Sequence, residues 1–586
     1  MKSFLKYTLA TIAGILVLNF LGFILLLIIV GAASSTEEPT VKENSVLMAR
    51  FNTPVVDRSD DNPFSQFTSG SFAMDGSMGL DQVLKDIEKA KSDDNISGIF
   101  MDLSGVPIGM ASLEEIRNAL INFKDSGKFI ISHADMYTQK SYYLASVSDK
   151  IYLTPTGEME FKGLTARVLL FKRALDKYGI DMQVIRHGTF KSAVEPFLTD
   201  KMSDENKEQL NAMISTVWGQ MVQGISEARD IPIEDLNKYA DDLSVTLDDK
   251  ALEKGMIDGL KYYDEVLDEL RELTLTEEDD DVPAITLKKY ADVSPKVKKE
   301  VSRDRIAVIY AMGNIVMGDA SEGMIGADRI SRAIRKARKD DKVKAIVFRV
   351  NSGGGSALAS EIIHREIELA TQVKPVVASL GNVAASGGYY IVAPADTILA
   401  SETTITGSIG VFGVLPNVQE MLNDKIGITT GVVTTNKHSD IGSPTRPLTG
   451  DERAIIQSYV DDTYKTFVGH VAEGRSMTFD EVDAIAGGRI WSGVNAMEIG
   501  LIDLYGGLEK SIEVAAEMAG LENYRITSLP VLEDPITTIM KQLTGEVKLK
   551  MIRKELGESY ELYKQLEEIR RMEGIQAVMP YTLDIY

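Results

Sequence analysis

Two Tyr-Tyr pairs, Tyr142-Tyr143 and Tyr389-Tyr390, stand far apart in matching surroundings, and no other feature constrains the fold as much. Tyr142 aligns with Tyr389, and Asp149 with Asp396, at a common offset of 247. Ser104-Gly105 falls on Asn351-Ser352 at the same offset. The offset drifts to 246 for Arg229 and Arg475, then to 245 for Ala251, Gly255 and Asp258 against Ala496, Gly500 and Asp503. Short loop insertions produce such a drift. A period this long means a duplicated domain and not a solenoid of short repeats.

Each copy alternates short apolar runs with helical patterns. In the first, Leu80 to Ala90 has helical spacing, and Gly98 to Leu103 is a strand candidate ending in a Ser-Gly turn. A helix is predicted over Ser112 to Phe123, with strands at Phe129 to Ser132 and Lys150 to Leu153. In the second, Ala345 to Val350 leads through a glycine-rich turn into a helix over Ala357 to Ala370, with strands at Pro375 to Ser379 and Thr397 to Ala400. Long helices are predicted at Ser203 to Ala228 and Asp451 to Gly474. This order predicts a largely parallel α/β unit in each copy. The copies are assigned to residues 63–275 and 304–530, with linkers at 37–62 and, charged, at 276–303. Residues 531–586 form a C-terminal extension with a helix-like stretch over Val547 to Arg571, and the final Met579-Pro580-Tyr581 has no assigned place.

Residues Tyr7 to Thr36 carry no charge, and Gly14 to Val30 are dense in Leu, Ile, Val and Phe. That length predicts a membrane-spanning anchor within residues 1–36, being longer than the apolar region of a cleavable signal. Lys2 and Lys6 before it and Glu37-Glu38 after it place the rest of the chain outside the cytoplasm. The net charge of −24 argues against nucleic acid as a partner. The absence of cysteine excludes disulfides and thiolate chemistry.

The copies differ where chemistry would lie. Arg349-Val350-Asn351-Ser352-Gly353-Gly354-Gly355-Ser356 follows a strand and opens a helix, with no lysine after the glycines to make a phosphate loop. Ser386, in Ala384-Ala385-Ser386-Gly387-Gly388-Tyr389-Tyr390, follows the next strand among small residues. The N–H groups of Gly354 and Gly387, one from each turn, are candidates to hold an oxyanion beside a Ser386 nucleophile. The plainer readings are a tight turn for the glycines and an N-cap for Ser386. The first copy lacks both features: Ser104-Gly105-Val106-Pro107 replaces the glycines and Gln139 the serine. A serine hydroxyl needs a base. None of the five histidines (His133, His187, His364, His438, His470) sits in a recognisable triad sequence, although a triad assembled in space stays open. Lys191 is the other candidate, among small and apolar neighbours, although most lysines are exposed. As a base it must be neutral, and therefore desolvated.

The run Lys191-Ser192-Ala193-Val194-Glu195-Pro196-Phe197, the Asn351-Ser352-Gly353-Gly354-Gly355 turn and the Ser386 motif together resemble the signal peptide peptidase A family in its long, duplicated, membrane-anchored form. The likeness covers essentially the whole chain after the apolar segment. It implies a Ser/Lys-dyad protease built from two tandem crotonase-like (Clp-protease-like) α/β domains behind one transmembrane helix. It implies Ser386 as nucleophile, Lys191 as general base, and Ser408 as the serine that orients the lysine. Gly354 and Gly387 match the oxyanion donors, and no metal or organic cofactor is implied. Gly353 stands where many members have proline, which leaves the N–H donors in place. The family further implies a homotetramer around an enclosed cavity, in a bacterial inner membrane with the catalytic part periplasmic. Its substrates are remnant signal peptides cut in apolar segments. Two rival readings are a crotonase-type acyl-CoA enzyme and a catalytically silent membrane scaffold.

Overall fold

The computed structural model describes scattered residues between 6 and 21, then 39–58, 77–277, 280–294, 302–320, 323–532 and 575–579. Within these, the duplication is visible as strand order. In the first copy the strands run Gly259–Leu260, Lys150–Met159, Phe129–Tyr137, Ile96–Asp102, Ser45–Arg50 and Ala284–Thr286, every neighbour parallel. In the second, Leu504–Tyr505, Thr397–Ala400, Val376–Ala385, Val343–Ser352, Arg305–Met312 and Arg525–Leu529 follow the same order, again parallel. Parallel sheets are covered on both faces, so their strands read as continuous apolar runs. Ala345 to Phe348 is such a run, and every side chain in it is buried. Helix Ala327–Lys339 shows the covering element: Ile330, Ala333, Ile334 and Ala337 are buried at helical spacing.

The helices and strands expected in both copies are present, several extended by a few residues and others shifted by one or two. Helix Leu80–Ser92 contains the stretch read at 80–90, and helices Asp204–Arg229 and Gly450–Gly474 are the long pair. Both supposed linkers hold structure. Ser45–Arg50 lies within 37–62 and is the inner neighbour of the edge strand in the first sheet, with Val46 and Leu47 fully buried. Ala284–Thr286 lies within 276–303 and pairs beside it. These runs are short and lie within segments rich in charged residues, so composition hides them; long-range pairing creates them. Among the described residues no helix is long and apolar enough to cross a membrane. Most of the anchor expected at residues 1–36, and the helix-like stretch Val547 to Arg571, lie outside the described residues.

A third sheet joins the copies. Its order is Met324–Gly326, Asn314–Val316, Gly354–Ser356, Gln576–Val578, Phe412–Asn417 and Asp181–Arg186. Asp181–Arg186 comes from the first copy and pairs antiparallel with Phe412–Asn417 of the second. Gln576–Val578 comes from the C-terminal extension. The cores merge as well: Ala385, Ile405 and Ile490 pack into the first copy's apolar cluster.

A buried charge cluster ties the same parts together. Arg349, on strand Val343–Ser352, is fully buried; its Nε donates to Asp57 at 2.6 Å and its Nη2 to Glu115 at 2.7 Å. Asn351 Nδ2 donates to the other Asp57 oxygen at 2.7 Å, and Leu508 N donates to Glu115 Oε2 at 2.7 Å. Burial pushes the Glu115 carboxyl up, and the Arg349 guanidinium opposes it. Removing the shared cation leaves two buried carboxylates facing each other. Arg349→Met should therefore lower stability by about 3–5 kcal/mol in urea unfolding. Arg349→Lys should restore little of it, because an ammonium cannot present the forked donor.

Candidate active site

Ser386 ends strand Val376–Ala385 and precedes the short helix Gly387–Tyr390. Its backbone is held at φ 55, ψ −116, a strained conformation for a residue with a side chain. Ser386 N donates to Gly407 O at 2.8 Å, and Tyr390 N donates to Ser386 O at 2.8 Å, which fixes the turn. The side chain makes no cap bond to the helix, so the N-cap reading is not realised. Instead Oγ lies 2.7 Å from Lys191 Nζ and 3.4 Å from Gly410 O.

Lys191 reaches this point because the residues after it are pinned. Strand Asp181–Arg186 delivers the chain, and Ala193, Val194 and Phe197 pack with Met182, Val184, Phe412 and Val414. Gln209 Nε2 donates to Ser192 Oγ at 2.7 Å. The buried Glu195 carboxylate accepts from Asn206 Nδ2 at 2.8 Å and from the Ser203 hydroxyl. The Lys191 side chain is fully buried. Besides Ser386, Nζ meets Ser408 Oγ and Ser408 O, each at 3.1 Å. All three partners are neutral. Burial therefore holds the amine well below the ordinary lysine range, with no carboxylate to pull it back.

Ser408 follows strand Ile405–Gly407 with φ 52. Its N donates to Arg489 O at 2.7 Å and its Oγ to Gly488 O at 3.3 Å. The sequence reading did not single out that partner turn, Ala486-Gly487-Gly488-Arg489. A Cβ on Gly488, which has φ +88, would stand 2.6 Å from Lys191 Cβ and 2.7 Å from its backbone N. Phe190 N donates to Gly487 O at 3.1 Å, so the first copy's lysine loop seats directly on this glycine turn. A sequence signal did exist: Gly487-Gly488 falls on Asp242-Leu243 at the 245 offset, a glycine pair gained in one copy only.

Gly354 and Gly387 face each other beside Ser386. A Cβ on Gly354, at φ +106, would lie 2.7 Å from Gly387 N and 1.9 Å from the carbonyl oxygen of Ala577. Gly354 N donates to Ser352 Oγ at 3.1 Å. The glycine run is thus more than a tight turn, since the C-terminal strand Gln576–Val578 lies along it.

None of the five histidines hydrogen-bonds Ser386. His187 pairs with Asp461 at 2.8 Å and stacks on Tyr464, and His438 pairs with Glu452 at 3.3 Å. His133 meets Thr154 Oγ1 at 3.1 Å. Among the described residues, Glu361, His364 and His470 form the group whose ligand atoms approach closely enough, within 4.8 Å, to consider a metal ion. Glu361 already accepts from Tyr390 Oη at 2.5 Å and meets His470 Nε2 at 3.0 Å. The His470 bond first, and then the Tyr390 bond, hold its carboxyl down at about 2.

The buried lysine has a consequence for stability. The unfolded chain's lysine keeps the ordinary value of 10.5, while the folded one releases its proton at lower pH. Between the two values the unfolded state binds more protons, so stability rises with pH across that window. Lys191→Met keeps the volume and removes the desolvated amine. It should raise the thermal unfolding midpoint at pH 7 and flatten the rise towards pH 10. An unchanged midpoint and slope would mean the amine is not held neutral.

The model of peptidase family S49 matches residues 122–276 and 368–522, one stretch in each copy. The chain is 32% identical to the chloroplastic serine protease SPPA of Arabidopsis thaliana over 545 residues, 92% of this chain and 78% of that one. It is 37% identical to Protease 4 of Salmonella typhi over 479 residues, 80% of this chain and 76% of that one. A solved structure of a ClpP1 point mutant from Listeria monocytogenes matches 35% of this chain and 94% of that one, at 14% identity and a TM-score of 0.24. With one family match in each half and two relatives aligned over most of their length, the chain belongs to peptidase family S49 and is a serine peptidase.

Proposed function

We propose that this peptidase works through a dyad split between its two copies, with Ser386 as nucleophile and Lys191 as general base. The observation that carries the reading is the 2.7 Å approach of a fully buried, neutrally surrounded Nζ to the Ser386 hydroxyl. Neutral Nζ takes the Oγ proton as Oγ bonds to a peptide carbonyl carbon. The C–N bond then breaks, and the leaving amine receives that proton from Lys191. Water, deprotonated by the same amine, hydrolyses the acyl-enzyme and regenerates Ser386. Ser408 orients Nζ through the 3.1 Å contact with its Oγ. Gly387 N–H and Gly354 N–H stabilise the oxyanion. Gly354 does so by turning from Ser352 Oγ, its present partner.

The substrate class in this proposal is an extended apolar peptide, such as the remnant left when a signal peptide is removed. The anchor supports it: Gly14 to Val30 is long and apolar enough to reach across most of a bilayer. With the charges of Lys2 and Lys6 before it, the catalytic part lies on the periplasmic face, close to where such remnants are released. The two copies adopt a crotonase-like architecture, and four chains assemble as a homotetramer. The exposed Ile426, Ile428, Val432 and Val433 offer a surface for subunit contact.

Hydrolysis of a fluorogenic apolar peptide by the full chain in detergent tests the dyad. Ser386→Ala and Lys191→Ala should each lower kcat/KM by roughly 10³-fold or more. Lys191→Arg should not rescue it, because a guanidinium stays charged. Activity surviving Lys191→Ala would overturn the lysine assignment. Silence in the parent, with no labelling of Ser386 by a fluorophosphonate, would favour a scaffold.

Gly488→Ala should lower kcat with little change in KM, since it displaces Lys191 and leaves the cleft alone. The pH profile should shift with it, because a lysine moved towards water regains basicity. An unshifted profile with kcat intact would show that the turn does not position the base.

A further inference from the structure

The helix that follows the glycine turn, Ala357–Thr371, carries Glu361 and His364 one turn apart on the same face. His470 comes from the long helix Gly450–Gly474 and lies against them. Its ring centroid is 3.9 Å from that of His364, and its Nε2 is 3.0 Å from Glu361 Oε2. Tyr390, at the end of the short helix that Ser386 precedes, donates from Oη to Glu361 Oε2 at 2.5 Å. His364 is only 4% exposed, and its Nε2 is buried with no hydrogen-bond partner among the described residues. A buried polar atom left in that state costs about 1–3 kcal/mol. The bonds among Tyr390, Glu361 and His470 satisfy one another and leave this nitrogen unexplained.

The duplication supplies a second observation. At the 247 offset Glu361, His364 and Tyr390 fall on Glu114, Arg117 and Tyr143, and at the 246 offset His470 falls on Gly224. The correspondence holds in space: a Cβ on Gly224 would stand 3.0 Å from the Tyr143 ring and 3.3 Å from Arg117 Cζ. In the first copy this place between two helices therefore holds a guanidinium. Arg117 Nη2 donates to Gly224 O at 2.6 Å, and Arg117 Cζ lies 4.8 Å from the centre of the Tyr143 ring. In the second copy a histidine stands where the arginine does, a second histidine fills the space over the glycine, and the carboxylate position is the same. Two imidazoles and a carboxylate are the donor set of a divalent transition metal, and zinc suits it best.

We propose that Glu361, His364 and His470 form a zinc site that clamps the helix after the glycine turn to the long helix Gly450–Gly474, as Arg117 joins the matching helices of the first copy. One ligand atom from each residue lies within 4.8 Å of the others. Adjacent ligands of tetrahedral zinc are about 3.3 Å apart, so side-chain movement of at most about 1.5 Å closes the set, with water in the fourth position. The His470 and Glu361 side chains are 23% and 41% exposed, which gives an ion its way in. The Tyr390 hydroxyl fixes the carboxylate, as the outer hydrogen bond of a metal ligand does. The site stands apart from the Ser386–Lys191 assignment, since no step of hydrolysis passes through the ion.

Binding to the full chain in detergent, without a histidine tag and stripped by a chelator, tests the site whether or not the protein hydrolyses peptides. Calorimetric titration with Zn²⁺ should show one tight site per chain. Co²⁺ in its place should give the visible absorption of a tetrahedral nitrogen and oxygen set. His470→Gln and Glu361→Gln each remove one ligand at a partly exposed position, so the fold should persist. Each should weaken Zn²⁺ binding by roughly 100-fold or more and abolish the Co²⁺ band. Zn²⁺ should raise the thermal unfolding midpoint of the parent and leave that of His470→Gln where it was. Equal Zn²⁺ affinity in the parent and both variants would put the ion on the acidic surface and overturn the proposal. A parent with no tight site and no Co²⁺ band would also overturn it, leaving a hydrogen-bond network alone.

Discussion

The desolvated amine of Lys191 is the point on which the rest of the site depends. A lysine in water is charged and is no base at neutral pH. Here Nζ is fully enclosed with hydroxyl and carbonyl partners only, so burial alone supplies the shift. An acidic neighbour would cancel the effect by restoring the charged form. The chain carries 87 acidic residues against 63 basic ones, yet the hydrogen bonds of this one lysine go to neutral groups.

Holding that amine dry takes both copies. The first supplies the lysine and the packed turn after it, and the second supplies Ser386, Ser408 and the Gly487-Gly488 floor. The joints are backbone-close: strand Asp181–Arg186 pairs with Phe412–Asn417, and the lysine loop hydrogen-bonds to Gly487. Arg349 braces the same region from behind by joining Asp57 and Glu115 to the strand that leads into the glycine turn. Duplication thus provided two similar scaffolds whose junction could be enclosed from both sides. Neither copy carries the pair of proposed catalytic groups by itself.

Strain gathers at the same junction. Ser386, Ser408, Gly354 and Gly488 all have positive φ, within a few residues of the atoms that meet Lys191 or the C-terminal strand. For the two serines such conformations cost free energy and persist where surrounding hydrogen bonds over-determine them, whereas the glycines adopt them freely. The bonds from Ser386 N to Gly407 O and from Ser408 N to Arg489 O do that here.

Much of this was legible in the chain itself. The 247-residue offset, the apolar runs and the helical spacings led to two α/β copies with the correct helices and main strands. The unequal fate of the motifs pointed to Ser386, because losing a glycine turn and a serine together in one copy is a pattern in one dimension, whereas Lys191 stood out by its small and apolar neighbours and by the family resemblance of its run. Strands Ser45–Arg50 and Ala284–Thr286 were hidden, since sheet pairing and not local composition makes them. The Gly488 floor, the Arg349 brace and the C-terminal strand beside the glycine turn were hidden for the same reason: each depends on residues far apart in sequence meeting in space. The sequence by itself determined which residue types were present and how the copies differ. Only the tertiary structure decided which lysine loses its water, because desolvation belongs to the walls that packing builds around a side chain and not to the side chain.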